Sequence, residues 1–304
     1  MHKLRMAPAS LILILLCTGC SIRKIAVNKL GNALAGSGTT FASDDDPQLI
    51  RDAVPFSLKL MESLLAENPR HGPLLLAASR GFTQYAYAFV QEDADEIEGH
   101  DVAAANVLRA RARRLYLRAR DYGLRGLALQ RPGFDISLRQ DPKAAVSRFR
   151  SVSAVPLLYW TAASWGAAIS ASKDDPELLA EQPIVEALVD RALQLDDRFN
   201  AGAIHGFLIA YEPSRPGVRG DSAARSRKHF EKAVELSGGK LASPYLSLAE
   251  TVSVKKQDRA EFQSLLQKAL AINPDANPES RLENLIMQRR ARWLLSRLDE
   301  LFVE

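Results

Sequence analysis

Apolar residues recur every three or four positions along most of the chain, which is the period of an amphipathic α-helix. Short breaks rich in proline, glycine and aspartate separate these stretches. The pattern predicts helices over residues 47–68, 73–90, 102–125, 156–170 and 277–302, of which the third is one long helix or a broken pair. The acidic stretch that follows Val90 interrupts the pattern, so we expect the helix to end there.

Aspartate stands directly before proline at three places in the chain, Asp46-Pro47, Asp141-Pro142 and Asp175-Pro176. An aspartate at the N-cap accepts hydrogen bonds from free backbone N–H groups. Proline suits the first helical position because that position needs no donor. Each pair therefore marks a predicted helix start.

The C-terminal half repeats a short motif, in which a bulky residue precedes an alanine by three positions. The alanines are Ala192, Ala233 and Ala269, spaced by 41 and 36 residues. The motif resembles the second helix of a tetratricopeptide repeat, whose period is about 34 residues. We predict an all-α fold of antiparallel helix pairs in cryptic tetratricopeptide-like repeats, with an ordinary antiparallel helical bundle as the alternative. Residues 211–221 should form a surface loop, and the last helix should cap the last repeat.

The N-terminus has the features of a bacterial lipoprotein signal. Basic Lys3 and Arg5 precede an apolar run that is too short to span a bilayer, and Thr18-Gly19 leads to Cys20. These residues resemble a lipobox, in which the cysteine is lipidated and becomes the new N-terminus. The position three before the cysteine, usually leucine, is Cys17 here. An uncleaved apolar helix is the alternative.

This interpretation divides the chain into a signal peptide at 1–19, a tether and loop at 20–46, and one helical repeat domain at 47–304. Ser21, where an inner-membrane lipoprotein often has aspartate, favours the outer membrane. We expect a periplasmic protein that contacts the membrane through its lipid anchor only. A diacylglycerol with an N-acyl chain holds such a protein firmly.

Charge and cysteine content argue against nucleic-acid binding and against thiol chemistry. Loss of Lys3 and Arg5 would leave 38 basic residues against 36 acidic ones, so no nucleic-acid partner is expected. With one cysteine lost and Cys20 lipidated, no disulfide or thiol ligand remains. Hydrophobic residues make up 47% of the chain, which is typical of a globular body.

Candidate chemistry is sparse. The stretch GNALAGSG approaches a phosphate-binding loop, but Ser37 stands where that motif needs lysine. Seven arginines between Arg109 and Arg125 are interpreted as a solvated face that pairs with the acidic stretch, with contact to an anionic ligand as the alternative. No histidine pair has the helical spacing of a metal site, and no nucleophile motif occurs, so we predict no metal, no cofactor and no enzyme.

Several separate blocks together resemble a known family. They are GSGTTFASDDDPQLIRDAVPFSLKLMESLLAENP, GFTQYAYAFVQ, RARRLYLRARDYGLRGL, LYWTAASWGAAIS and ENLIMQRRARWLLSRLDELF. The chain is similar to the T-component (TatT) family of periplasmic lipoproteins associated with TRAP transporters. The resemblance implies an all-helical homotrimer, a channel in each subunit, and association with the transporter's soluble substrate-binding protein.

The leading hypothesis is therefore a non-enzymatic adaptor that docks the transporter's substrate-binding protein and passes a small organic or hydrophobic ligand. The apolar segment 156–170 packs in a core or faces a cavity. Candidate residues for a channel lining are Tyr85, Tyr159, Trp160 and Trp165, with Arg114 and Arg118 for a carboxylate. A repeat scaffold for envelope assembly and an envelope hydrolase, whose carboxylates leave no short motif, are the alternatives.

Overall fold

The computed structural model describes residues 27–172, 174–217 and 219–303. The protein is 81% helix, and these ranges contain no strand. Along the first half lie α1 (27–36), α2 (Gly38–Ala42), α3 (Pro47–Glu67), α4 (Gly72–Ala86), α5 (Glu92–Ile97), α6 (Val102–Gln130), α7 (Phe134–Gln140), α8 (Pro142–Ser147) and α9 (Val155–Ser170). The second half has α10 (Pro176–Leu179), α11 (Gln182–Leu195), α12 (Phe199–Tyr211), α13 (Ser222–Ser237), α14 (Ser243–Leu248), α15 (Arg259–Ala271), α16 (Arg281–Ser296) and α17 (Leu298–Leu301). The all-α prediction is confirmed.

The segment that we predicted as a tether and loop is helical from residue 27 onward. Helix α1 and helix α2 occupy most of it, and Leu34 and Phe41 pack against the main core. Burial of these apolar side chains explains why the segment folds back onto the body. The predicted signal at 1–19 and the lipidation site Cys20 lie outside the described residues.

The predicted helix starts at the aspartate-proline pairs are confirmed. Asp46 accepts hydrogen bonds from the N–H groups of Gln48 and Leu49, at 2.9 and 3.0 Å. Asp141 and Asp175 cap α8 and α10 in the same way. Local N-cap chemistry therefore determines where these helices begin.

The helix that begins with α4 continues through the acidic stretch, so the prediction that it ends there was wrong. A π-helical turn at Tyr87–Gln91 joins α4 directly to α5, which carries the acidic residues. A second π turn, Ala249–Ser253, follows α14. The acidic helix is stable because arginines from other helices neutralise it, as described below.

The main core forms where α4, α6, α9 and α11 pack side by side. By length and composition alone, the helical region Val152–Ser170 could cross a membrane. In the fold, however, 56% of this apolar stretch is buried inside the protein. Trp165 on α9 and Tyr116 on α6 are almost fully buried there. This segment is the central helix of the core.

The C-terminal helices form a second core that continues the first. Ile286 on α16 and Tyr87 in the first π turn pack against both cores. Helix α16 covers α14 and α15, as expected for a capping helix, and it also reaches α2 and α3. The Arg281 guanidinium donates a hydrogen bond to the Ser43 carbonyl at 3.0 Å. The last long helix therefore packs against the first helices of the chain.

Helix α12 begins with an unusual turn. Asn200, Ala201 and Gly202 have φ values of 45°, 52° and 90°, in the left-handed region. A side chain at position 202 would press on the backbone of Ala233, so glycine allows α12 and α13 to approach closely there. This approach brings the histidines of the two helices together.

Candidate functional site

The predicted candidate Trp165 lies in the core. It is 1% exposed, and its ring N–H donates a hydrogen bond to the Glu181 carboxylate at 2.8 Å. The Arg120 guanidinium lies 5.0 Å from the ring centre. These contacts satisfy both the polar atom and the ring face of Trp165, as expected for a packing residue.

Tyr159 and Trp160, two other candidates on α9, are half-buried and touch each other. Their ring centres lie 5.0 Å apart in an edge-to-face arrangement. The Tyr159 ring also lies 5.4 Å from that of Phe199, at the start of α12. The three rings form an aromatic wall between α9 and α12.

Glu283 on α16 lies close enough to Tyr159 for the charge of its carboxylate to act on the Tyr159 hydroxyl. The side chain is exposed to solvent, and the Ser243 hydroxyl donates a hydrogen bond to its carboxylate at 2.7 Å. Burial nevertheless raises the pKa of Glu283, against the effect of the Ser243 hydrogen bond. Burial also raises the pKa of Tyr159, and the charge of Glu283 raises it further.

We name the group formed by Tyr159, Trp160, Phe199, Ser243 and Glu283 the Tyr159 recess. Its wall is aromatic, with one carboxyl group and two hydroxyl groups. Such a lining suits a small organic ligand with an apolar body.

The remaining candidates make other contacts. Tyr85 is buried against the Phe89 ring and lies below the Arg111 guanidinium. Arg118 lies 3.6 Å from the Glu62 carboxylate and over a phenylalanine ring. Arg114 is exposed on α6. Of the six predicted residues, the structure brings Tyr159 and Trp160 together.

A second polar centre surrounds Arg290 on α16, which the sequence did not indicate. This side chain is 10% exposed, and its guanidinium contacts three carboxylates. They are those of Glu92 at 3.0 Å, Asp95 at 3.1 Å and Glu250 at 2.6 Å. We name these four residues the Arg290 cluster.

The two π turns supply the cluster. A π turn adds one residue to a helix and redirects the side chains that follow, and such turns are frequent at functional sites. Glu250 lies within the second π turn, and Glu92 follows the first directly. Both carboxylates thereby point at one guanidinium on α16.

Burial dominates the electrostatics of the cluster. It raises the pKa of Glu92 to about 7, although the charge of Arg290 opposes the rise. Burial also disfavours the charged form of Arg290, but Glu250, Tyr87 and Glu92 outweigh this and raise its pKa well above the ordinary value. Arg290 therefore stays charged, while Glu92 exchanges a proton near neutral pH.

Further arginines surround the acidic helix. Asp93 contacts Arg51 of α3 at 2.6 Å and Arg289 of α16 at 3.0 Å. Arg109 of α6 contacts Glu98 at 2.7 Å. One member of the arginine-rich face on α6 thus pairs with the acidic stretch, as we expected, and α3 and α16 supply the others. In the sequence, the adjacent arginines at positions 289 and 290 in QRRAR are the feature that could have indicated these ion pairs.

His205 and His229 meet across the close contact of α12 and α13. Their Nδ1 atoms lie 2.8 Å apart, so one ring donates a hydrogen bond to the other. Burial lowers the pKa of both rings. Within the part of the chain that the structure describes, no group of three or more His, Cys, Asp or Glu side chains is arranged to hold a metal ion.

These features define a class: an all-helical body in which a buried ion cluster joins α5 and the second π turn to α16. The family model of the TRAP transporter T-component matches residues 43–302. The chain belongs to this family, whose members are accessory components of a transporter. The chain is also similar, at 29% identity over 95% of both chains, to an uncharacterized protein of Treponema pallidum (strain Nichols).

Proposed function

We propose that this chain is a periplasmic lipoprotein, anchored by lipid on Cys20, that docks the substrate-binding protein of a TRAP-type transporter and passes a small organic ligand through its helical body. Family membership supports the association with a TRAP transporter. The N-terminal residues that resemble a lipobox support the anchor, the periplasmic location and outer-membrane sorting. The protein acts by binding and not as an enzyme.

The observation that carries the ligand role is the Tyr159 recess. Apolar rings on one side and the Glu283 carboxyl with Ser243 on the other suit an organic molecule with a polar end. Helices α9, α12, α14 and α16 contribute to it, so it lies among the helices of the body.

The proposed repeat architecture fits this role. The three alanines of the motif are Ala192, Ala233 and Ala269, and each is at most 1% exposed. Small buried residues at these positions are what helix pairs of tetratricopeptide type require. Stacked pairs expose long surfaces for a protein partner.

Two exposed apolar residues on α3 mark a candidate docking surface. Phe56 is 74% exposed and Leu49 56% exposed, and their spacing of seven places them on one helix face. Exposed apolar side chains that adjoin each other indicate a protein interface. We assign this face either to the substrate-binding protein or to the contact between subunits of a homotrimer.

The test uses the mature chain, from residue 20, with Cys20→Ser, and the TRAP substrate-binding protein from the same genome. We expect micromolar binding by calorimetry, at least tenfold weaker in Phe56→Asp. The control is Ile136→Asp, because Ile136 is 62% exposed on α7. Light scattering separates the two assignments, since a subunit contact would change the mass of Phe56→Asp. If the chain without a substitution at Phe56 fails to bind the substrate-binding protein at micromolar concentration, the docking role is refuted.

A further inference from the structure

Arg80 on α4 has no compensating partner. Its side chain is half-buried. Across 27–172, 174–217 and 219–303, it is the one half-buried arginine that makes neither an ion pair nor a hydrogen bond. Arg215, by contrast, is 13% exposed and contacts Glu212 at 2.8 Å as well as Asp190. A half-buried guanidinium without an ionic partner keeps its N–H donors free for an anion.

The guanidinium of Arg80 lies next to the start of α2. It lies directly against the backbone of Gly38, where any side chain would collide with it. Glycine at position 38 therefore leaves room for Arg80 under α2. Burial lowers the pKa of Arg80, and no acidic side chain among the described residues offsets this effect.

The surroundings along α4 indicate what could bind. Leu76, Arg80 and Gln84 are spaced by four and share one stripe of the helix. Leu76 is half-buried and apolar, and Gln84 is exposed with an amide that can donate a hydrogen bond. A charged group, an apolar contact and a neutral donor thus lie in a row.

We propose that Arg80 binds the carboxylate of a small organic acid, with Gln84 as a second donor and Leu76 against the apolar part. A guanidinium donates two parallel hydrogen bonds to a carboxylate. A single cation matches one negative charge, which favours a monocarboxylate over a phosphate dianion. The inference rests on the proposed ligand role, and it assigns the anion to Arg80 instead of Arg114 or Arg118.

The test is calorimetric titration of the mature Cys20→Ser chain with hexanoate, with hexan-1-ol and inorganic phosphate as comparison probes. We expect hexanoate to bind more tightly than either. Arg80→Gln should weaken hexanoate binding at least tenfold, and Arg80→Lys less. The matched control Arg70→Gln, at an exposed arginine just before α4, should bind as the parent does.

Thermal unfolding of the free variants separates a binding role from a structural one. Loss of an unpaired half-buried charge should leave the Tm of Arg80→Gln unchanged or higher. A lower Tm, equal binding by Arg80→Gln, or no binding of hexanoate by the parent would overturn the proposal. Titration of Arg80→Gln with the substrate-binding protein tests docking separately. We expect this variant to bind the substrate-binding protein with the affinity of the parent.

Discussion

The guanidinium of Arg290 lies 3.0 Å from the carboxylate of Glu92, and 198 positions of sequence separate the two residues. Both are buried. The contact links α16 near the end of the chain to α5 in its first third. Because Glu250 binds the same guanidinium, the second π turn is held to this link as well. The Arg290 cluster thus fixes the C-terminal helices to the N-terminal ones.

Replacing Arg290 by methionine should destabilise the protein strongly. The change leaves Glu92, Asp95 and Glu250 without their shared cation, and breaking a buried ion pair on one side costs about 3 to 5 kcal/mol. Guanidinium denaturation at pH 8 measures the loss. Arg292→Met is the matched control, since Arg292 is exposed on the same helix. A loss below about 1 kcal/mol would contradict a clamping role.

Stability should depend on pH through Glu92. The folded protein keeps the Glu92 proton up to about pH 7, whereas the unfolded chain releases it near the ordinary value of 4.5. Unfolding therefore releases a proton between these values, so stability falls as pH rises from about 4.5 to about 7 and then stays low. The difference corresponds to about 3 kcal/mol.

Denaturation curves between pH 4.5 and 8 measure this effect. Glu92→Gln, which keeps the shape without the charge, should flatten the fall. Glu231→Gln at an exposed site should leave it unchanged. If the Glu92→Gln curve parallels that of the parent, the proton is held elsewhere.

His205 and His229 should act in the opposite direction. Burial lowers the pKa of both rings, so the unfolded chain takes up protons near pH 6.5 that the folded pair does not. Stability is then complete above pH 6.5 and lost as pH falls below it. His229→Gln should reduce this acid loss, and His100→Gln, at an exposed histidine, should not. Equal acid sensitivity of both variants would argue against the pair as the cause.

The sequence predicted those features that depend on neighbouring residues. The start of α3 follows from the Asp46 cap, and the buried alanines follow from the repeat motif. The acidic stretch misled us because its carboxylates repel one another locally. Arginines from α3, α6 and α16 form ion pairs with these carboxylates and offset the repulsion. No local sequence pattern shows which arginines will pack against the acidic helix.

The candidate site was predictable only in part, for the same reason. Tyr159 and Trp160 stand out as large rings in an apolar segment, but Glu283 joins them only through the packing of α16. Arginine-rich α6 drew attention to Arg114 and Arg118. Arg80 is conspicuous because it lacks a partner among the residues that the structure describes, which only the folded arrangement reveals.

The Tyr159 recess can be tested by cysteine labelling, because both cysteines of the chain lie at positions 17 and 20. The chain expressed from residue 20 with Cys20→Ser has no thiol. Glu283→Cys should react with a small water-soluble reagent, since solvent reaches this position, and slowly with a polymer-linked maleimide that does not fit the recess. Phe56→Cys, on the outer face of α3, should react readily with both, and Asn284→Cys, fully buried beside Glu283, with neither. If Glu283→Cys accepted the polymer as fast as Phe56→Cys, position 283 would lie on the open surface, and the passage proposed for the ligand would lose its structural basis.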